Sequence, residues 1–237
     1  MNAARPSRTD ERTHRPIRSF VRREGRLTDG QQRALDSLMP RYGVDPGDAV
    51  LDWARVFGRS APVVLDIGFG DGAALAEIAA NHPERSFLGV EVYRSGVGRL
   101  LRQLEHEGID NVRVACMDAV QLLRRNVPPA SVSGVNLFFP DPWPKKRHHK
   151  RRMVQPEWLT LVSSRLVPGG YLHLATDWED YAEHMMTVVS ASPDFDNPAG
   201  TGRFAGDRGE RPQTKFERRG LSKGHGVWDL IVRRRAA

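Results

Sequence analysis

The spacing of apolar positions changes at Pro62. Before it, Leu35, Leu38 and Met39, then Val50, Leu51, Ala54 and Phe57, recur at helical spacing on either side of the turn YGVDPG, which predicts two short helices. After it, short apolar runs alternate with longer amphipathic stretches, the pattern of a mainly parallel sheet with helices on both faces. Strands are predicted at 63–67 (VVLDI), 86–90, 112–116, a run ending at Phe139, and 171–175, with helices at 73–81, 94–106, 119–125, 156–166 and 178–190. Two late stretches, roughly 213–218 and 226–233, have no long helix between them and are expected to form an antiparallel pair at the far side of the sheet. Residues 192–212, heavy in Pro, Gly and Asp, read as a loop.

In an open α/β sheet, ligands bind outside the carboxyl ends of the strands. Candidate chemistry gathers there. The turn DIGFGDG follows the first strand and opens the first helix, so Gly68, Gly70 and Gly72 let a ligand approach the backbone. Glu91 ends the second strand at the distance where an acid reaches a ribose hydroxyl, and Asp118 follows the third. With Asp66, these acids converge on one edge. The spacing G-x-G-x-G departs from G-x-G-x-x-G, and Asp66 would repel a pyrophosphate; both disfavour a dinucleotide. A ligand with a ribose, an adenine and a cationic aminoacyl arm fits better, which points to S-adenosylmethionine. Singly, each of these residues is an ordinary turn glycine or solvated acid.

At VSGVNLFFPDPWPKKRHHKRR, residues 132–152, an apolar strand stops at Asp141 between Pro140 and Pro142, and a cationic block follows. The prolines restrict their own φ and the residues before them, so the Asp141 carboxylate and the Trp143 ring sit on a stiffened loop. Lys145, Lys146, Arg147, Lys150, Arg151 and Arg152 follow without an intervening acid. His148 and His149, among cations and with no cysteine partner, make a poor metal site and are expected to face phosphate. Asp177 reads two ways: as a group reaching the same crevice, or as part of the capping pattern T-D-W-E at Thr176–Glu179.

At 237 residues the chain suits one α/β domain, and the net charge of +7 favours a polyanionic partner. No stretch is long and apolar enough to span a bilayer, and the Arg-rich amino terminus lacks the apolar segment of a secretory signal, so a cytoplasmic protein is expected. The single cysteine, Cys116, excludes an intrachain disulfide and is expected to be a small buried hydrophobe. Residues 1–30 read as a basic, flexible arm and residues 31–237 as the folded domain with its two short amino-terminal helices.

PDPWPKKRHHKRR, TDWEDYAEHM (176–185), RPQTKFERRG (211–220) and GHGVWDL (224–230), with RSFVRREGRLTDGQQRAL (18–35), together resemble the bacterial tRNA (guanine-N7)-methyltransferase family. The resemblance covers almost everything after residue 17. It implies a Rossmann-like class I methyltransferase fold that moves a methyl group from S-adenosylmethionine to N7 of a tRNA guanosine, at position 46 of the variable loop. It also implies cofactor contacts at Asp66, Glu91, Asp118 and Asp141, substrate contacts at Lys145, Asp177, Thr214, Lys215, Phe216 and Glu217, and tRNA binding by the block from Arg147 to Arg152, which Lys146 extends. The family pattern has Glu where this chain has Asp66, a side chain shorter by one methylene. Other readings are methyl transfer to an exocyclic amine of adenine or cytosine, a polyamine synthase (which the cationic block disfavours), and an inert RNA-binding protein on the same scaffold. Oligomeric state, monomer or homodimer, is left open.

Overall fold

The structure is a computed structural model that describes residues 27–213, 217 and 226–236. The arm expected over 1–30 lies outside the described residues apart from its end at 27–30, as do Thr214, Lys215 and Phe216. Two helices come first, α1 (Asp29–Tyr42) and α2 (Trp53–Phe57). The sheet unit then runs β1 (Val63–Ile67), α3 (Ala73–Asn81), β2 (Ser86–Val90), α4 (Arg94–Glu107), β3 (Val112–Ala115), α5 (Ala119–Arg125) and β4 (Val132–Phe138). A 3-10 helix (Lys146–Arg151) leads to α6 (Pro156–Arg165), β5 (Leu166–Thr176), α7 (Glu179–Ser190), β6 (Phe195–Asp196) and β7 (Trp228–Arg234).

Punctuating residues fix several of these boundaries. Thr28 and Gln31 form a capping box: the Thr28 hydroxyl accepts from Gln31 N, and the Gln31 side chain accepts from Thr28 N. Pro156 opens α6, where its missing N–H is no loss, and Gly108 closes α4 in the left-handed region.

The strands lie in the order β3-β2-β1-β4-β5-β7-β6. Pairings are parallel from β3 through β5, and β7 runs antiparallel to both its neighbours. Successive strands are added outward from β1 to β3, after which β4 returns to the other side of β1, creating a switch point between β1 and β4. Alternation along β1 divides the core: Val63, Leu65 and Ile67 join one cluster with α5, α6 and α7, and Val64 joins the other with α1, α3 and α4.

The late antiparallel strand is present as β7, but its outer partner differs from the expectation. The edge is made by Phe195–Asp196, inside the stretch read as a loop, while Gln213 lies in no strand. Strand β5 also begins at Leu166, five residues before the predicted start at 171, and a register irregularity lies between Val132 and Gly134 on its partner. Cys116 is exposed because β3 ends one residue earlier. No helix among the described residues is long and apolar enough to cross a membrane.

Helix α1 packs closely on α4 where Gly98 faces Gln31. A Cβ at Gly98 would lie 2.9 Å from the Gln31 carbonyl oxygen, a backbone atom that cannot swing aside. Gly98→Ala should therefore cost about 1–3 kcal/mol in chemical denaturation through overpacking. Gly206→Ala, where an added Cβ meets nothing within 4 Å, should change stability little by comparison.

Candidate active site

The cleft at the switch point has a volume of about 240 Å³ and draws one wall from β1 and β2 and the other from β4. Gly68 and Gly70 sit in the left-handed region, and a Cβ at either would meet nothing within 4 Å, so the bare backbone faces open space. The Glu91 carboxylate accepts from Gly70 N at 3.0 Å, Val92 N at 2.6 Å and Tyr93 N at 3.1 Å, which ties the end of β2 to the glycine turn. Burial pushes its pKa above the ordinary carboxylate range, against the opposing pull of those backbone hydrogen bonds. Asp118 caps α5 through Gln121 N and lines the same cleft, as do Tyr93, Met117, Phe139 and Asp141.

On the opposite wall the chain leaves β4 under strain. Phe139 has φ 51° and Trp143 φ 47°, both non-glycine residues in the left-handed region, on either side of Pro140, Asp141 and Pro142. Such conformations cost of order 1–3 kcal/mol each and persist only where their surroundings enforce them. One enforcing contact is Arg152. Its side chain is buried, its Nε donates to the Pro142 carbonyl at 2.9 Å, its guanidinium binds the Asp180 carboxylate on α7, and it stacks on the Tyr181 ring at 4.8 Å. Arg151 lies over the Trp143 ring at 4.0 Å, and His148 meets the same ring edge-on.

This cleft can hold a nucleoside with a charged arm: glycine backbone for the arm, acids at the ends of β2 and β3 for hydroxyl and amine donors, and apolar Met117 and Ala119 beside them. The donor set suits S-adenosylmethionine. A larger cavity, about 350 Å³, lies on the other face of the sheet between Arg85, Asn136, Tyr171, His173 and Glu210, and only Phe138 lines both.

A family model described as "Putative methyltransferase" matches residues 60–230. The chain is 60% identical to a tRNA (guanine-N(7)-)-methyltransferase of Alkalilimnicola ehrlichii, over 93% of this chain and 94% of that protein. It is also 60% identical to one of Halorhodospira halophila, over 93% and 96%, and 52% identical to one of Aliivibrio fischeri, over 94% and 93%. The chain belongs to the tRNA (guanine-N(7)-)-methyltransferase family. Solved structures resemble it in fold: the 16S rRNA methyltransferase KamB has a TM-score of 0.58 at 17% identity, covering 79% of this chain and 95% of that one. An S-adenosylmethionine-dependent O-methyltransferase from Thermotoga maritima has a TM-score of 0.50 at 13% identity, over 78% and 64%. The fold is the Rossmann-like class I methyltransferase fold, with S-adenosylmethionine as the cofactor.

Of the site residues expected from the sequence, Gly68, Gly70, Glu91, Asp118 and Asp141 line the cleft together, whereas Asp66 and Gly72 are not in its lining. Strand alternation turns Asp66 to the other face of β1, where it is buried and accepts from Asn136, its register partner on β4, at 3.3 Å. Gly72 is the N-cap of α3, and a Cβ there would lie 2.6 Å from Leu100 Cβ, so a glycine lets α3 pack closely on α4. Lys145, Lys146, Arg147 and Lys150 are exposed, His149 and Arg151 are half-buried, and Arg152 is an interior strut that faces no solvent phosphate. His148 is held below its ordinary pKa by desolvation and then by the cations around it, so it is neutral near pH 7.

Asp177 is half-buried at the end of β5, and of its two readings the capping box does not form: Trp178 is the N-cap without a side-chain bond, and Thr176 Oγ1 accepts from Trp178 N. Glu217 is buried and pairs with Arg211, a partner the sequence reading did not single out. Its signal was the adjacency of Arg211 to the TKFE segment.

Burial raises the Asp66 carboxyl from 3.8 to about 7, the largest effect, with the Asn136 hydrogen bond opposing it. The folded protein thus holds this proton more tightly than the unfolded chain, and stability from this group is lost as pH rises from about 4 to about 7. Asp66→Asn should flatten that decline by at most roughly 4 kcal/mol, read from denaturation midpoints across the window. An unaltered pH profile would show that Asp66 is already ionised in the fold.

Proposed function

We propose that this chain transfers a methyl group from S-adenosylmethionine to N7 of a guanosine in tRNA, at position 46 of the variable loop, forming 7-methylguanosine. The observation that carries the reading is the convergence of the glycine turn, Glu91, Asp118 and Asp141 on one cleft directly beside an exposed cationic block.

S-adenosylmethionine supplies an electrophilic methyl carbon on a positively charged sulfur. Guanine N7 already carries a lone pair, as its acceptor role in the major groove requires, so no proton must leave before transfer. The protein's work is alignment, which can supply on the order of 7–11 kcal/mol. Glu91 and Asp118 orient the cofactor's hydroxyl and amine groups, and the Gly68–Gly70 backbone admits its arm. Asp141 stands where positive charge arrives on the base and stabilises it electrostatically without acting as an obligatory base. Trp143, braced by Arg151, offers a ring beside it. Lys145, Asp177 and the segment Thr214–Glu217 contact the substrate, and Lys146, Arg147, His148, His149, Lys150 and Arg151 face the RNA backbone. The lysines and arginines among them supply the sequence-independent part of the affinity.

Incubation with unmodified tRNA and cofactor carrying a labelled methyl group, followed by digestion, should put the label in 7-methylguanosine. Label in another nucleoside would replace the acceptor, and no label together with no cofactor binding would favour the inert RNA-binding reading. Mapping the labelled fragment tests position 46.

Asp141→Asn should lower turnover far more than tRNA affinity; equal losses would remove its assigned role. Neutral substitutions at Lys146, Arg147 and Lys150 should each reduce the salt slope of tRNA binding by roughly one contact.

A further inference from the structure

Arg211 is a charge placed where charge is costly. None of its side chain is exposed, and burying an unpaired guanidinium would cost several kcal/mol. Here every edge of the fork is engaged. Nε donates to Asp229 Oδ1 and Nη2 to Asp229 Oδ2, both at 2.8 Å, a bidentate pair with β7. Nη1 donates to Glu217 Oε2 at 2.6 Å and lies 3.4 Å from the Pro212 carbonyl. Asp229 Oδ1 is also 2.8 Å from His173 Nε2 on β5. Burial works against the Asp229 carboxylate, yet the hydrogen bonds from Arg211 and His173 outweigh it and hold its pKa below the ordinary range.

The guanidinium also lies 5.2 Å from the Phe139 ring and 6.0 Å from the Phe138 ring. Phe139 is the strained residue two positions before Asp141, and it lines the cofactor cleft. One planar group therefore touches the base of the Asp141 turn, the end of the TKFE segment, and the sheet. Replacing a buried ion cluster by apolar side chains of similar volume is often neutral or stabilising, so packing alone does not explain a cation here. What the fork adds is fixed geometry, which a lysine cannot reproduce. The loop before it is tethered independently, since Glu210 binds Arg85 in a bidentate pair at 2.7 and 3.0 Å.

We propose that Arg211 is a positioning residue for methyl transfer, setting the distance between the Asp141 turn and Glu217 through Phe139, Glu217 and Asp229. It contacts neither the cofactor nor the acceptor. The proposal rests on the reading above in which Thr214–Glu217 meets the RNA. Its consequence is selective: the glycine turn, Glu91 and Asp118 stand on the wall of the cleft away from Arg211, and tRNA affinity comes from exposed cations, so both survive when the gauge is lost, while turnover does not.

The test is Arg211→Lys in the full-length protein, with the active fraction calibrated by cofactor-binding stoichiometry. Turnover at saturating tRNA should fall about 100-fold, the scale of an ångström-level misplacement, with cofactor and tRNA dissociation constants changed less than about threefold. Asp229→Asn, which keeps the volume and lies on β7, should show the same turnover-selective loss, and the double variant should be no worse than the poorer single. If Arg211→Lys fails to fold, Asp229→Asn decides alone. Turnover within about twofold of the unsubstituted protein, or cofactor affinity falling in step with turnover, overturns the proposal.

Thr214→Ala separates the underlying reading. If it leaves tRNA kinetics unchanged while Arg211→Lys still lowers turnover, the segment does not meet the RNA and Arg211 acts through Phe139 alone. If Thr214→Ala is damaging and Arg211→Lys is not, the segment reading stands and the positioning role is lost.

Discussion

The parallel pairing of β1 with β4 is the constraint on which the rest of the molecule depends. It is where the order of strand addition reverses within the parallel part of the sheet, and it brings the glycine turn after β1 opposite the Phe139–Asp141 turn after β4. Neither turn is a site by itself. Set side by side, with β2 and β3 supplying acids from one flank and α7 bracing the other, they form a cleft whose two walls arise from segments some seventy residues apart, as the Asp66–Asn136 hydrogen bond between the same strands illustrates.

Arginine serves two separate purposes here. On the 3-10 helix Arg147 stands exposed with Lys146 and Lys150, where charge is free to act through solvent. Arg152 and Arg211 are buried, and their value is geometric: each presents a planar fork to a carboxylate and stacks on an aromatic ring. Both touch the strained turn that carries Asp141, Arg152 through the Pro142 carbonyl and Arg211 through the Phe139 ring. A chain that is basic overall has thus used part of its positive charge as internal scaffolding.

Most of the architecture was legible in the sequence because the hydrophobic period switches between helix and strand at glycine and proline punctuation. Helices 73–81 and 119–125 fall where the pattern puts them. The lining of the candidate cleft was legible where an acid coincides with a strand's carboxyl end, as at Glu91, Asp118 and Asp141. It was less so where orientation decides. Asp66 precedes the glycines in sequence, but alternation sends its side chain to the other face of the sheet. Arg152 ends a run of cations and reads as one more of them, although its neighbour Arg151 is half-buried and it alone turns fully inward. The Arg211 cluster joins residues 18 and 56 positions apart around Asp229, a closeness that only the sheet's pairing creates.

The exposure of Cys116 has a practical side. It is the chain's only cysteine, and it stands one residue past β3 and two before Asp118 at the edge of the cofactor cleft. A thiol-directed fluorophore would attach at that one position, without any engineered substitution, and would report from beside the acids at the ends of β2 and β3 rather than from the cationic 3-10 helix. The chain therefore carries its own attachment point for an optical readout of ligand entry.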